Sequence, residues 1–306
     1  MNYERGLLNK MHFFRKYKTP LITLTIFTCI GLIVWIFLDI RYFVLFVCIG
    51  LSDSGTRIII EKYPKLLQLS RRCLQLGIAG FLFGWLSLYI GVNFQFPEIF
   101  FDIYTGIVSG ALIQLLVARI ILPFFFGNAF CSRACWTGAF FELTNSKTSC
   151  KRTPKKRSNF IAWGYLIFIV VFSLFFAFFR NPAVNLELRR GWIIGEFLFI
   201  ITSGLILALI WGSRAYCRML CPFLTISGLI SPYSIFKITP VKAEECSSCN
   251  LCNQACPMLI DVMSCVHNNQ RINNRTCILC ERCVSSCPND VLKIADKIPR
   301  NNQIEK

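Results

Sequence analysis

Histidine is nearly missing: two occur in 306 residues, His12 and His267. Haem b in a membrane bundle needs imidazole ligands from within its spans. Here one histidine lies in the N-terminal tail and the other in a Cys-rich C-terminal tail, which excludes a cytochrome b type of quinol oxidase. Charge is scarce as well. Asp, Glu, Lys and Arg make up 16% of the chain, against about 25% in a typical globular domain. Hydrophobic residues make up 55%, Phe alone occurs 29 times, and the mean hydropathy is +0.54. Neither a wholly water-soluble fold nor a disordered chain fits this balance. The sequence also has no phosphate-binding glycine loop and no hydrolase nucleophile set, which removes self-contained chemistry of those kinds.

What is abundant instead is long apolar runs and 17 cysteines. About 20 apolar residues cross the roughly 30 Å of a hydrocarbon core. Leu21–Leu38 is the first such run. Its basic flank (Arg5, Lys10, Arg15, Lys16, Lys18) resembles that of a signal peptide, but no small-residue cleavage site follows, so it reads as an uncleaved anchor. Tyr42–Ile60 is weaker because it contains Asp53 and Arg57, and Asp39 and Arg41 before it read as a loop. Cys73–Phe94, Ile103–Phe126, Phe160–Phe179 and Trp192–Trp211 are clearer. Six crossings are favoured over five.

Loop charges orient the spans. The segment between Phe126 and Phe160 carries Arg133, Lys147, Lys151, Arg152, Lys155, Lys156 and Arg157, whereas Gln95–Asp102 carries Glu98, Asp102 and no basic residue. The basic loop and everything after Trp211 are therefore expected in the cytoplasm. Arg180, Arg189 and Arg190 then sit outside, against the rule. The formal charge of +17 is mostly that of inner loops, so membrane lipid is an expected partner and nucleic acid is not. The expected location is a bacterial cytoplasmic (inner) membrane, crossed several times.

After Pro240 the apolar runs stop. Cys246, Cys249, Cys252 and Cys256 are spaced C-x2-C-x2-C-x3-C and followed by Pro257; the pattern returns 31 residues later as Cys277, Cys280, Cys283 and Cys287, followed by Pro288. This is the spacing of a two-cluster bacterial ferredoxin, in which the fourth cysteine of each run ligates the other cluster. The expected sets are Cys246, Cys249, Cys252 and Cys287 for one 4Fe-4S cluster and Cys277, Cys280, Cys283 and Cys256 for the second. Structural zinc favours paired C-x2-C motifs rather than triads with a trailing Cys-Pro, and disulfides do not suit a reducing cytoplasm. Cys265 falls outside both patterns and reads as a buried thiol.

Two further pairs follow apolar runs. Gly127, Phe130, Cys131, Arg133, Cys135 and Trp136 are mirrored by Gly212, Tyr216, Cys217, Arg218, Cys221 and Pro222. Each is a glycine, an aromatic residue and C-x3-C with an arginine inside, an internal repeat of Cys73–Trp136 against Phe160–Pro222. Residues i and i+4 share a helix face, so two such pairs together offer four thiolates to one centre at the membrane surface. Cys131, Cys135, Cys217 and Cys221 are therefore candidates for a third iron–sulfur cluster, with redox thiols or disulfides and plain packing cysteines as the alternatives. Cys29, Cys48, Cys73 and Cys150 lack partners at ligand spacing and read as small hydrophobes.

Over Cys73–Pro299 the chain resembles the NapH-type membrane-bound 4Fe-4S polyferredoxins, which share a core with the NosR and CcoG families. The features carrying the resemblance are four core spans, the two C-x3-C motifs and the double-cluster tail. Trp136 departs from the family motif, which has proline there, and some seventy N-terminal residues are added. The chain as read has neither the extracytoplasmic flavin-binding domain expected of NosR nor the C-terminal β-domain of CcoG, which leaves the NapH type as nearest. The resemblance implies quinol oxidation, with quinone or quinol as substrate, and onward transfer to other redox subunits of a membrane-associated reductase complex. It implies a quinol dehydrogenase-type subunit rather than a self-sufficient enzyme.

Ionisable residues inside spans are functional candidates. Glu196 could accept a proton beside a quinone headgroup, or Glu196 and Arg119 could pair with backbone or each other, or snorkel. Glu142 follows the first C-x3-C. The expected fold is mainly α, a polytopic transmembrane bundle with a C-terminal cytoplasmic α+β ferredoxin domain. Its expected divisions are an N-terminal tail with extra membrane segments (1–72), a four-helix core (73–236), the ferredoxin domain (237–299) and a polar tail (300–306). The expected function is electron transfer between the quinone pool and a partner oxidoreductase. An assembly factor that reduces a metal or thiol, as CcoG-like members imply, and a membrane redox sensor are the alternatives.

Overall fold

A computed structural model describes residues 2–37, 40–63, 66–106, 110–144 and 155–297. Asp39, Lys147, Cys150, Lys151, Arg152 and the tail 300–306 lie outside them. The chain divides into two compact units, Met1–Ile78 and Ala79–Lys306.

In the first unit two long helices, Asn2–Phe37 and Ile40–Lys62, pack side by side. Small residues let them approach: a Cβ on Gly50 would lie 2.9 Å from that of Phe27. The buried Ser54 hydroxyl donates to the Pro20 carbonyl at 2.8 Å. Arg41, expected in a loop, lies within the second helix. A third helix, Leu67–Ala79, carries Cys73, which is exposed, as are Cys29 and Cys48.

Among the described residues three helices are long and apolar enough to cross a membrane: Pro20–Phe37, Ser158–Phe179 and Leu186–Trp211; Gly110–Phe126 is shorter but apolar. Their outward faces are greasy. Phe160 is 81% exposed and Leu209 77%, surface that lipid rather than water would solvate. The expectation of six long spans is corrected in two places. Ile103–Phe126 is not one helix: Glu98–Thr105 ends at Gly106, whose φ of 73° turns the chain left-handed, and the next described helix begins at Gly110. Cys73–Phe94 is not a regular α-helix either, since Gly80–Tyr89 is wound as a π-helix and ends before Gly91 at φ 83°.

The second unit contains the later parts of both halves of the predicted repeat, and from Gly110 and Leu186 onward these correspond element by element. Gly110–Phe126 and Leu186–Trp211 are the apolar helices. Gly127 and Gly212 follow at φ 53° and 92°. Five-residue helices, Ala129–Arg133 and Ala215–Met219, come next, and then nine-residue helices, Trp136–Thr144 and Pro222–Ile230. Trp136 thus occupies the first helical position that Pro222 takes in the other half. Proline is favoured there because that N–H has no intrahelical partner, and any residue can replace it. One expectation fails: the C-x3-C cysteines do not lie at i and i+4 of one continuous helix. Cys131 and Cys217 sit in the five-residue helices, while Cys135 and Cys221 lie after a break, and Cys221 is extended at φ −87° and ψ 108° as the cap of the next helix.

The tail is small and α+β. Strands Lys237–Pro240 and Leu292–Ala295 pair antiparallel in the register Ile238 to Ile294. Between them lie the short helices Leu251–Ala255, Val262–His267 and Arg282–Ser285. A single apolar core runs through tail and membrane-proximal layer: Ile238, Ile278 and Leu292 pack in the same cluster as Cys131, Phe141, Tyr216 and Cys217.

Candidate iron–sulfur centres

In the tail, the two C-x2-C-x2-C runs are wound alike. Ser248, Asn250 and Leu259 have positive φ (54°, 61°, 57°), and so do Leu279, Glu281 and Asp290 (46°, 60°, 51°), each 31 residues on. Alternating right- and left-handed residues turn successive N–H groups toward one point and make an anion-binding nest. The N–H groups do reach sulfur. Ile260 N donates to Cys256 Sγ at 3.4 Å, and the Leu251 N–H, then the Ser247 side chain, hold the exposed Cys249 thiol below its usual range.

Cys246, Cys249, Cys252 and Cys287 line one small pocket, together with Met263, Val266 and Val291. These are the four cysteines expected to share a cluster. The other four are also neighbours: Cys256 interacts with Cys280, and Cys283 with Cys280, Cys256 and Cys277. Burial pushes Cys256 up to about 11 and Cys277 up to about 12, so loading metal there must release protons. Cys265, expected as a buried thiol, is half-buried beside Cys277, and its thiol donates to the Asp261 carbonyl at 3.5 Å. Among the described residues no three His, Cys, Asp or Glu converge as the ligands of a single metal ion do. Thiols around a cavity and backed by N–H groups fit an anionic cluster better than a lone cation.

The two C-x3-C pairs also come together. Cys217 interacts with Cys135 and Cys131, and Cys221 with Cys217, Cys131 and Cys135. Burial raises all of Cys131, Cys217 and Cys221, with Cys217 at about 11. Two guanidiniums face these sulfurs. Arg119 donates to Cys131 Sγ at 2.8 Å and lies over the rings of Phe130 and Phe223, 4.7 and 5.0 Å from their centroids. Arg119 therefore neither snorkels nor pairs with Glu196. Arg214 is 3.8 Å from Cys217 Sγ, donates to the Cys131 carbonyl at 3.1 Å, and binds Glu142 Oε1 through Nε at 2.9 Å.

This layer is bolted to the second cysteine run of the tail. Glu142 Oε2 accepts from Arg282 at 2.8 Å, and Arg133 pairs with Glu281. Asn128 Nδ2 donates to the carbonyls of Arg275 and Cys277 at 2.8 and 3.3 Å. Arg218 donates to the Pro257 carbonyl at 2.8 Å. The arginines inside the C-x3-C motifs thus serve as clamps, whereas the arginine that shares a guanidinium with sulfur in the second repeat is Arg214. Sequence reading missed it because the first repeat has Asn128, not arginine, at the matching position three residues before Cys131.

At the opposite end of the second unit lies a polar cluster of which only Glu196 was anticipated. Asn93 Nδ2 donates to Glu98 Oε2 at 3.0 Å and to Glu196 Oε2 at 3.3 Å. Arg189 pairs with Glu98 and, at 2.8 Å, with Asp102, both fully buried carboxylates. Arg189, one of the three basic residues that broke the loop-charge rule, is therefore neutralised in place. Burial pushes Glu98 up to about 7, against the pull of Arg189.

Comparison with known proteins agrees with both cysteine layers. A 4Fe-4S dicluster domain model matches residues 240–295, and a 4Fe-4S binding domain model matches twice, at 109–155 and 194–238. YccM of Escherichia coli (strain K12), described as an electron transport protein, is 26% identical over 67% of this chain and 60% of its own length. The ferredoxin-type protein NapH of Haemophilus influenzae is 24% identical over 62% of this chain and 71% of its own. The methylamine utilization ferredoxin-type protein MauN of Paracoccus denitrificans is 25% identical, covering 62% and 75%. The resemblance to NapH-type 4Fe-4S polyferredoxins holds, at this modest identity. No solved structure matches.

Proposed function

We propose that this chain is a membrane electron-transfer subunit that passes electrons through three iron–sulfur centres between the quinone pool and a partner oxidoreductase. The observation that carries it is the gathering of twelve cysteines into three groups within one continuously packed unit. Bound clusters supply one-electron steps with little rearrangement. Cys246, Cys249, Cys252 and Cys287 would hold one, Cys277, Cys280, Cys283 and Cys256 a second, and Cys131, Cys135, Cys217 and Cys221 a third. The repeated 4Fe-4S binding domain match over the C-x3-C halves supports the last set. The names of YccM, NapH and MauN support electron transport as the role.

Quinone is the substrate favoured here. Glu196, within an apolar helix and hydrogen-bonded to Asn93, is the group proposed to take a proton from quinol. The basic loops support a cytoplasmic tail, and its partners would be redox subunits of a membrane-associated complex. Iron analysis of anaerobically purified full-length protein tests the centres: about twelve irons per chain are expected, and about eight would leave only the tail pair. Mixing the reduced protein with a quinone analogue tests the substrate. Rapid oxidation of the clusters, seen as recovery of their visible absorbance as electrons pass to the quinone, is expected; reduction of a metal or a thiol with no response to quinone would instead favour the assembly role.

A further inference from the structure

The C-x3-C layer carries more positive charge than its carboxylate neutralises. Arg119 and Arg214 are 2% and 0% exposed, and arginine stays protonated in proteins. Glu142 serves Arg214 and is shared with Arg282. Among the described ion pairs Arg119 has no carboxylate; the groups acting on it are the sulfurs of Cys131, Cys135 and Cys221. A buried cation without an anion is costly. Both guanidiniums are also fixed. Two phenyl rings bracket Arg119, and Arg214 fills space that a Cβ on Gly138 would occupy.

From this juxtaposition we propose that Arg119 and Arg214 are positioning residues whose fixed charges set the reduction potential of the membrane-face centre and hold its four thiolates together. The proposal rests on the reading that Cys131, Cys135, Cys217 and Cys221 bind an iron–sulfur cluster. Uptake of one electron adds one negative charge to such a centre. Cations in contact with two of its ligand sulfurs stabilise that charge more than they stabilise the oxidised form, and burial leaves them little screened. Hydrogen bonds to sulfur and net charge are the levers known to tune these potentials. The tail sets differ, because there the donors to sulfur are backbone N–H groups and, at Cys249, also the Ser247 side chain.

The test is a redox titration of the full-length protein in detergent under anaerobic conditions, followed by paramagnetic resonance, together with iron counts. Arg119→Gln is expected to move the midpoint of the membrane-face signal to lower potential and to leave the two tail signals in place. Arg119→Lys, which keeps the charge, is expected to return it toward the native value. An unmoved midpoint in a fully loaded Arg119→Gln protein overturns the proposal, as does a common shift of all three signals. If Arg119→Gln loses about four irons, retention of them by Arg119→Lys supports the proposal and their loss from both variants overturns it. Absence of a third signal from the native protein would sink the cluster reading itself, which is distinguishable from an unresponsive signal.

Discussion

The membrane core and the tail both turn their chains through left-handed backbone, but they assign those positions to different residues. In the core, Gly91, Gly106, Gly127 and Gly212 take positive φ; among described residues every non-glycine with positive φ lies between Ser248 and Asp290. The tail has no glycine after Gly228. Left-handed backbone is free for glycine, whereas each other residue there costs on the order of 1–3 kcal/mol and persists only where surroundings impose it. The core therefore places its left-handed turns where they are free, and the tail places them on residues that its surroundings must hold. The same contrast governs charge. Sulfurs of the C-x3-C layer face the guanidiniums of Arg119 and Arg214, and Cys256 of the tail faces a backbone N–H group of its own loop.

The sharpest way to break this contrast is to remove the carboxylate beneath the core arginines. Glu142→Leu would leave Arg214 buried without its carboxylate and cost roughly 3–5 kcal/mol, read as loss of thermal stability in detergent. The ion pair Arg133–Glu281 is about one-fifth exposed on each side, so Glu281→Gln should cost no more than about 1 kcal/mol. Equal costs for the two would mean that burial is not what separates them.

Close packing gives the next effect. Gly138→Ala drives a methyl group into the Arg214 guanidinium, and Gly204→Ala drives one into the Phe141 ring; each should cost roughly 1–3 kcal/mol. Gly164 has nothing within 4 Å of an added Cβ and sits inside the helix Lys155–Phe179. Gly164→Ala should therefore stabilise, by up to about 1 kcal/mol. Thermal melts of the three variants side by side decide it.

The outer polar cluster offers a pH test. Glu98 is raised from 4.5 to about 7 when folded, so between those values the folded chain binds a proton that the unfolded chain has released. Stability contributed by this group is present below pH 4.5 and is lost as pH rises through about 7. Glu98→Gln should flatten that slope in melts taken across the window. An unchanged slope would place the proton on Asp102 or Glu196 instead.

Much of this was legible in the sequence because its signals were local. The eight tail cysteines announce their own grouping, since each triad and its trailing Cys-Pro lie within twelve residues. The C-x3-C repeat was visible from Gly127 and Gly212 onward, although the helix break after each five-residue helix was not, because nothing in the spacing marks it. Long-range pairings stayed hidden. Arg189 looked like a violation of loop charge until Glu98 and Asp102 were found beneath it. Arg214 and Glu142 lie 72 positions apart, so no window of sequence contains the pair. Gly106 divided a run whose hydropathy alone reads as one span.

The smallest effect probes the strained tail directly. Ser248 is exposed at φ 54°, and its hydroxyl lies 3.1 Å from His267 Nε2. Ser248→Gly removes the left-handed cost and also an exposed hydrogen bond; these are similar in size, so a net change within about 0.5 kcal/mol is expected. Ser248→Val loses the same hydrogen bond and adds a β-branched side chain to a left-handed residue, and should cost about 1–2 kcal/mol more than the glycine variant. His267→Ala removes the contact without touching φ. If Ser248→Gly falls as far as Ser248→Val, and His267→Ala matches both, the hydrogen bond and not the backbone sets the energy of this loop. If only the valine variant falls, the strain is real, and it should weigh most on protein stripped of iron, where ligation no longer holds the loop.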